Sequence, residues 1–323
     1  MTDLPEALRD GLDAALAGFP PTRLSSGVQR LMSAYRSGGP ASAPILRSDV
    51  DVAAYAAYRM PATFAAVRAA LRQVAEAVPD WAPRSLSDVG GGTGAAAWAA
   101  VAAFPSLRAV TVLDQVAAAL TFGRRLARHS AEPALRGAAW QRWRAGADVP
   151  AADLVTIAYL LGELTPAQQE TVLTAALATG GAIAVIEPGT PEGYRRVLAA
   201  RAALLAHGHT IVAPCPHQLG CPLETGDWCH FPARVPRSAL HRQLKAGQLG
   251  WEDEKFALVV AMPGPPPAVP GRVLRHPRYR KNLVTLQVCT AAGTTATATV
   301  TKREGQRYRA ARDVSWGDAW PPT

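Results

Sequence analysis

The chain has 323 residues, 49% of them hydrophobic, so it can bury a substantial core, and its length allows roughly two domains. No run approaches the roughly 18 apolar residues of a spanning helix, and the N-terminal MTDLPEALRDGLDAAL has acids where a signal peptide has basic residues, so a soluble, cytoplasmic protein without a membrane partner is expected. A formal charge of +9 and a pI near 9.8 point to an acidic partner, nucleic acid before a membrane surface.

Arginine supplies nearly all of that charge, because Lys245, Lys255, Lys281 and Lys302 are the only lysines among 34 basic residues. With the heavy alanine usage this hints at a GC-rich bacterial genome. Residues 1–80 read as a helical region, with apolar positions recurring at three and four through 55–78. Residues 84–89 are a short strand candidate ending in a glycine loop, and an alanine-rich helical stretch follows to about Phe104. Further strands are expected at 109–113, 138–140, 154–158 and 182–186, with helical segments between them. That alternation predicts an α/β fold with a parallel, doubly wound sheet over 81–208. From 209 to 323 the character changes: 214–237 is rich in proline, cysteine, histidine and aromatics without periodicity, while 256–261, 283–289 and 294–301 are strand-like. This last region reads as a small cysteine-rich, basic β region closing a Rossmann-like domain.

Asp88-Val-Gly90-Gly-Gly92-Thr-Gly94 fits D-x-G-x-G-x-G at a strand-to-helix turn, where glycines let the backbone pass close to a ligand. Asp114 ends the next strand, where a carboxylate can accept hydrogen bonds from both ribose hydroxyls of an adenosine cofactor. Glycines at alternate positions resemble the S-adenosylmethionine site of Rossmann-like methyltransferases more than a dinucleotide loop. The plainer alternative is a tight turn whose Asp114 caps a helix. Glu163 lies after the fourth strand, where many methyltransferases place catalytic residues, but no N-P-P-Y-like motif accompanies it, so no catalytic residue is assigned. Glu187-Pro-Gly-Thr190 should lie at the carboxyl edge of the sheet beside the pocket.

Cys215, Cys221 and Cys229 fall at spacings of 6 and 8, and Cys289 follows 60 residues later on a strand. Without a secretory signal, cysteines argue for metal binding or catalysis over disulfides. Four thiolates complete the ligand set of either zinc or an iron-sulfur cluster. The absence of C-x-x-C pairs counts against an ordinary zinc ribbon, while His217 and His230 keep a mixed zinc site open. A nucleophilic role is the other competitor, since Pro214-Cys215 is similar to the Pro-Cys pair of cytosine-5 RNA methyltransferases, although that pair follows the fourth strand and this one the fifth.

The segments YRMPAT, IEPGTP, APCPH...CPL...DWCHF, EDEKF and RHPRYRKNLVTLQVCT, together spanning about Tyr55 to Trp320, resemble the methyltransferase-like family of mitochondrial small-ribosomal-subunit assembly factors and its bacterial relatives. The resemblance implies a 4Fe-4S cluster on the four cysteines, S-adenosylmethionine at the glycine loop, and association with the small ribosomal subunit through its rRNA. It leaves open whether the chain is an active rRNA methyltransferase, or a zinc-stabilised methyltransferase of a non-RNA substrate. Four cysteines also close a cluster that radical chemistry would leave open, so none is expected.

From Gly264 onward ten basic residues stand against three acidic ones, an excess of seven that holds most of the chain's net charge. Among them Arg275, Arg278, Arg280 and Lys281 are the candidate RNA ligands, because arginine forks pair with phosphates and stack on exposed bases. A solvated charged face is the simpler alternative. Cys289 lies in this segment, so a metal centre would fix the basic strands relative to the cofactor domain. A monomer is expected.

Overall fold

A computed structural model describes residues 4–37, 45–223, 226–237 and 249–321. Helices α1 (Glu6–Leu16), α2 (Pro21–Ser37), α3 (Asp49–Tyr58) and α4 (Met60–Ala77) lead into the alternating part of the chain. There follow β1 (Ser85–Val89), α5 (Ala95–Ala103), β2 (Ala109–Asp114), α6 (Ala117–Ala127), α7 (Pro133–Arg136), β3 (Ala139–Arg142), β4 (Leu154–Ala158), α8 (Pro166–Leu177), β5 (Ala182–Pro188) and α9 (Pro191–Ala206). Strands β1 to β5 are parallel in the order β3-β2-β1-β4-β5, and β1, β4 and β5 are buried almost throughout, as strands covered by helices on both faces must be.

The sheet then changes direction. Strand β8 (Trp251–Met262) runs antiparallel to β5, and its other edge takes β6 (Thr210–Ala213) beside its last residues and β7 (Phe231–Pro236) beside its first, giving eight strands. Thus 209–323 contributes the final strands of the large sheet before forming a second one. One face carries a core built from α1 to α7, including Phe64, Leu71, Trp98 and Leu120; the other is packed by α8 and α9 through Val172, Val197 and Leu204. The second sheet comprises β9 (Gly271–Val273), β10 (Arg278–Arg280), β11 (Leu283–Thr290) and β12 (Thr295–Thr301), with helix α10 (Gln306–Asp313) against it. Its own small core holds Val273, Val284, Leu286, Val300 and Trp320. Among the described residues no helix is long and apolar enough to cross a membrane.

Candidate cofactor pocket and cysteine cavity

The strand order reverses between β1 and β4, the place where open α/β sheets form a crevice at the carboxyl ends of their strands. The glycine loop leaves β1 there. Its three alternate glycines all adopt left-handed backbone, with φ of +69°, +55° and +84° at Gly90, Gly92 and Gly94, but for different reasons. A side chain at Gly90 would meet Leu160, and one at Gly94 would meet the Trp140 ring, so these two are glycines for internal packing. At Gly92 the nearest atom is the Asp114 Oδ2 at 3.8 Å, and the space is open.

Asp114 accepts from the Gly92 amide through Oδ2 (2.9 Å) and from the Val116 amide through Oδ1 (2.7 Å), which fixes its carboxylate beside the loop with lone pairs to spare. Asp88 is placed otherwise. It is fully buried beneath the loop, accepting from Thr156 Oγ1 (2.8 Å) and the Ala97 amide (3.2 Å), so it braces the turn and does not face a ligand. Burial pushes its carboxyl up to about 7.

Across the crevice, Glu187 is fully buried at the end of β5, where its Oε1 accepts from the Leu161 amide (3.0 Å) and its Oε2 from Arg196 Nε (2.7 Å). It thereby sets the single turn at Leu161–Glu163, and burial, then Asp114 and Glu187, push the Glu163 carboxyl up to about 8. Just after β4, Tyr159 has a left-handed φ of +57° that only a constrained surrounding maintains. Its hydroxyl donates to Glu254 Oε1 (2.9 Å), while Arg59 grips both Glu254 oxygens (3.1 and 2.9 Å) and lies 5.3 Å from the Tyr159 ring. Arg59 sits between α3 and α4 and Glu254 on β8, 195 residues away, so this group closes the N-terminal helices over the crevice. With Arg59 and Arg196 committed, no ion pair reaches Asp114 or Glu163 among the described residues.

The cysteines lie beyond the far edge of the same sheet. Cys215, Cys221 and Cys229 occupy the connection from β6 to β7, Cys289 lies on β11, and all four line one small cavity of about 30 Å³. All four are free thiols. Burial pushes Cys215 up against the opposing influence of Arg201 and Arg272, pushes Cys229 well up, and with the other thiols pushes Cys289 up to about 12. Cys289 Sγ lies 3.4 Å from His217 Nε2, and the Tyr194 hydroxyl lies 3.0 Å from Cys221 Sγ. His230 is turned away, stacked on Trp228 with its Nδ1 at the Trp228 carbonyl (3.0 Å). Among the described residues no three His, Cys, Asp or Glu side chains converge as on a single metal ion.

Neither Tyr194, Arg201 nor Arg272 carries a sequence signal of its role; Arg272, counted with the basic tail, is among the deepest side chains in the protein. Of the four candidate RNA ligands, Arg278, Arg280 and Lys281 are exposed on or beside β10. Arg275 is instead spent internally, donating to the Asp227 carboxylate and the carbonyls of Trp228 and Leu274, which straps the cysteine loop to the second sheet.

A helix-flanked sheet of this order, with an antiparallel strand beyond β5 and a glycine loop after β1, defines a Rossmann-like fold of the methyltransferase type. The chain belongs to the family described as mitochondrial small ribosomal subunit Rsm22, whose pattern it matches over residues 49–321. It is 30% identical over 290 residues to the human mitochondrial ribosome assembly protein METTL17, covering 83% of this chain and 62% of that protein. It is also 25% identical over 185 residues to Rsm22-cox11 tandem protein 2 of Schizosaccharomyces pombe, a mitochondrial protein, covering 44% of this chain and 25% of that one. Both relatives are therefore considerably longer than the part that this chain matches. Among solved structures, an O-methyltransferase family protein from Burkholderia thailandensis is similar with a TM-score of 0.44 and 14% identity, over 74% of this chain and 68% of that one. Human N-acetylserotonin methyltransferase gives 0.39 and 16%, over 73% and 66%.

Proposed function

We propose that the chain acts in assembly of the small ribosomal subunit, binding its rRNA through the second sheet, S-adenosylmethionine at the glycine loop and a metal centre on Cys215, Cys221, Cys229 and Cys289. The observation that carries this reading is the convergence of the four thiols on one cavity between the cofactor sheet and the basic sheet. Family membership supplies the ribosomal context.

The carboxyls of Asp114 and Glu163, without a basic side chain in ion-pair contact among the described residues, support the cofactor assignment, because S-adenosylmethionine carries a sulfonium and an ammonium group that a carboxylate answers. Gly92 and Asp114 would hold it: one leaves room for the adenosine and the other accepts from its ribose. For the centre, four thiols suit iron or zinc equally in ligand type. What favours a 4Fe-4S cluster is that the cysteines lack the C-x-x-C pairs of an ordinary zinc ribbon and share one cavity without any three ligands converging as on a single ion among the described residues. Its chemistry would be a structural or redox-sensitive latch between the two sheets. Methyl transfer is not part of the proposal, because no residue of the crevice is assigned a catalytic role. The compartment would be wherever the subunit is assembled, the cytoplasm for a bacterial chain and the mitochondrion for the relatives named above.

Anaerobic purification with iron, sulfide and zinc analysis, followed by co-sedimentation with small subunits at low salt, tests the reading. Iron and sulfide in equal amounts with subunit binding are expected. A metal-free protein, or one that stays unbound at low salt, would reject it. Incubation of those subunits with methyl-labelled cofactor separates the assembly role from an active rRNA methyltransferase.

A further inference from the structure

Two arginines are buried against the cysteine cavity without a carboxylate in direct contact; Glu76 and Asp318 offset the charge of Arg272 only from longer range. Arg201 and Arg272 are only 6% and 2% exposed, and both line the cavity with the four thiols. Their hydrogen bonds go to backbone carbonyls: Arg201 donates to the carbonyls of His217 (3.2 Å) and Leu219 (2.7 Å), and Arg272 to those of Pro214 (3.0 Å) and Gly317 (3.0 Å). Arg201 Nε has no partner among the described residues. Among those residues neither guanidinium has a carboxylate within ion-pair distance. An isolated buried cation is strongly unfavourable, so buried charges are found paired or at metals. Arginine cannot escape by losing its proton. For Arg201, and for what Glu76 and Asp318 leave uncompensated at Arg272, the negative charge has to come from the cavity, whose other ionisable side chains are the cysteines and Tyr194.

Resting on the metal centre proposed above, we infer that Arg201 and Arg272 are its charge-compensating residues and that Tyr194 is a hydrogen-bond donor to it through Cys221. Four thiolates on either a 4Fe-4S core or a zinc ion leave the centre with roughly two negative charges. Two guanidiniums offset that number. Such outer partners hold ligands in place and tune the metal. The backbone bonds of the arginines add a mechanical role. Arg201 fixes the carbonyls at 217 and 219, between Cys215 and Cys221, whereas Arg272 joins the residue before Cys215 to the tail at Gly317 and is the register partner of Cys289 in the β9–β11 pair. All three are positioning residues, since none needs to bind the metal itself.

The test uses the full chain purified anaerobically, with three variants: Arg201→Gln, Arg201→Lys and Tyr194→Phe. The readouts are metal content, the rate of metal loss to a chelator and, for an iron-sulfur centre, the midpoint potential from a spectroscopic redox titration. Arg201→Gln should lose metal about tenfold faster than wild type and show a lower potential, because removing a positive charge disfavours the more negative reduced state. Arg201→Lys should restore most of both. Tyr194→Phe, which removes one hydroxyl from a buried ring and leaves the fold intact, should lower the potential without changing metal content. Equal release rates and potentials across the loaded wild type, Arg201→Gln and Tyr194→Phe would overturn the inference while leaving the metal centre standing. A wild type without metal would overturn both. Should Arg201→Gln fail to fold, the Tyr194→Phe potential decides alone.

Discussion

At the scale of single residues, the cofactor pocket turns on Asp114 and Gly92, and the bracing of the loop on Asp88. Asp114→Ala would strand the Gly92 and Val116 amides as well as the ligand, at about 1–3 kcal/mol per unmet group. Calorimetric titration with S-adenosylmethionine should therefore show at least a tenfold loss of affinity, and wild-type affinity would remove Asp114 from the site. Asp88 has a different signature. Its folded-state carboxyl titrates at about 7, above its ordinary value, so the neutral form is the one that folding favours. Its contribution to stability is complete below about pH 4 and is lost as pH rises towards about 7. Urea unfolding across that window should show wild type losing stability relative to Asp88→Asn, whose side chain cannot ionise. Parallel pH profiles would mean that the burial of Asp88 is relieved in solution. The sequence pattern marks Gly90, Gly92 and Gly94 alike, because a glycine needed for packing against Trp140 and one needed for a ligand are the same letter. Only the neighbours distinguish them.

At the scale of elements, the parallel half of the sheet was legible because buried strands are continuous apolar runs separated by amphipathic helices, and β1, β2, β4 and β5 fall where those runs lie. Strands β6 and β7 were not, being four and six residues long and embedded in a proline-rich stretch whose partner, β8, lies up to 52 residues away along the chain. Pairing at such distance leaves no local periodicity to read. The same holds for the Arg59–Glu254–Tyr159 group: both charged residues stand in recognisable segments, YRMPAT and EDEKF, but nothing in the sequence joins them. Because Arg59 and Glu254 are mostly shielded from water, removing one leaves a buried unpaired charge. Arg59→Ala should destabilise by about 3–5 kcal/mol, measured by chemical denaturation. Arg59→Met combined with Glu254→Gln should lose less than the sum of the single changes, since the two share one interaction. Strict additivity would show that the pair is not coupled.

At the scale of the whole molecule, charge is divided between surface and interior in a way that residue counting hides. The basic excess beyond Gly264 suggested one RNA-facing set, yet Arg272 is buried at the cysteine cavity and Arg275 is tied to Asp227, leaving Arg278, Arg280 and Lys281 as the open ones on an edge strand. Charged edge strands also protect sheets from pairing with other chains, so exposure alone does not distinguish an RNA ligand from a guard against aggregation. Salt dependence does. Removing one side chain that pairs with a phosphate should make the plot of log affinity against log salt shallower by roughly 0.7–0.9. For Arg278→Ala, Arg280→Ala and Lys281→Ala combined, the slope for a small-subunit rRNA fragment should fall by about 2–3, with thermal stability little changed because the three side chains are exposed. Arg275→Ala should do the reverse: an unchanged slope, but faster hydrogen exchange in the loop around Cys229, since Arg275 holds the neighbouring Trp228 carbonyl. If the triple variant keeps the wild-type slope, β10 is a protected edge and the RNA lies elsewhere. If instead Arg275→Ala changes the slope by as much as one of the exposed residues, its strap to Asp227 opens on binding, and the cysteine loop is part of the RNA interface.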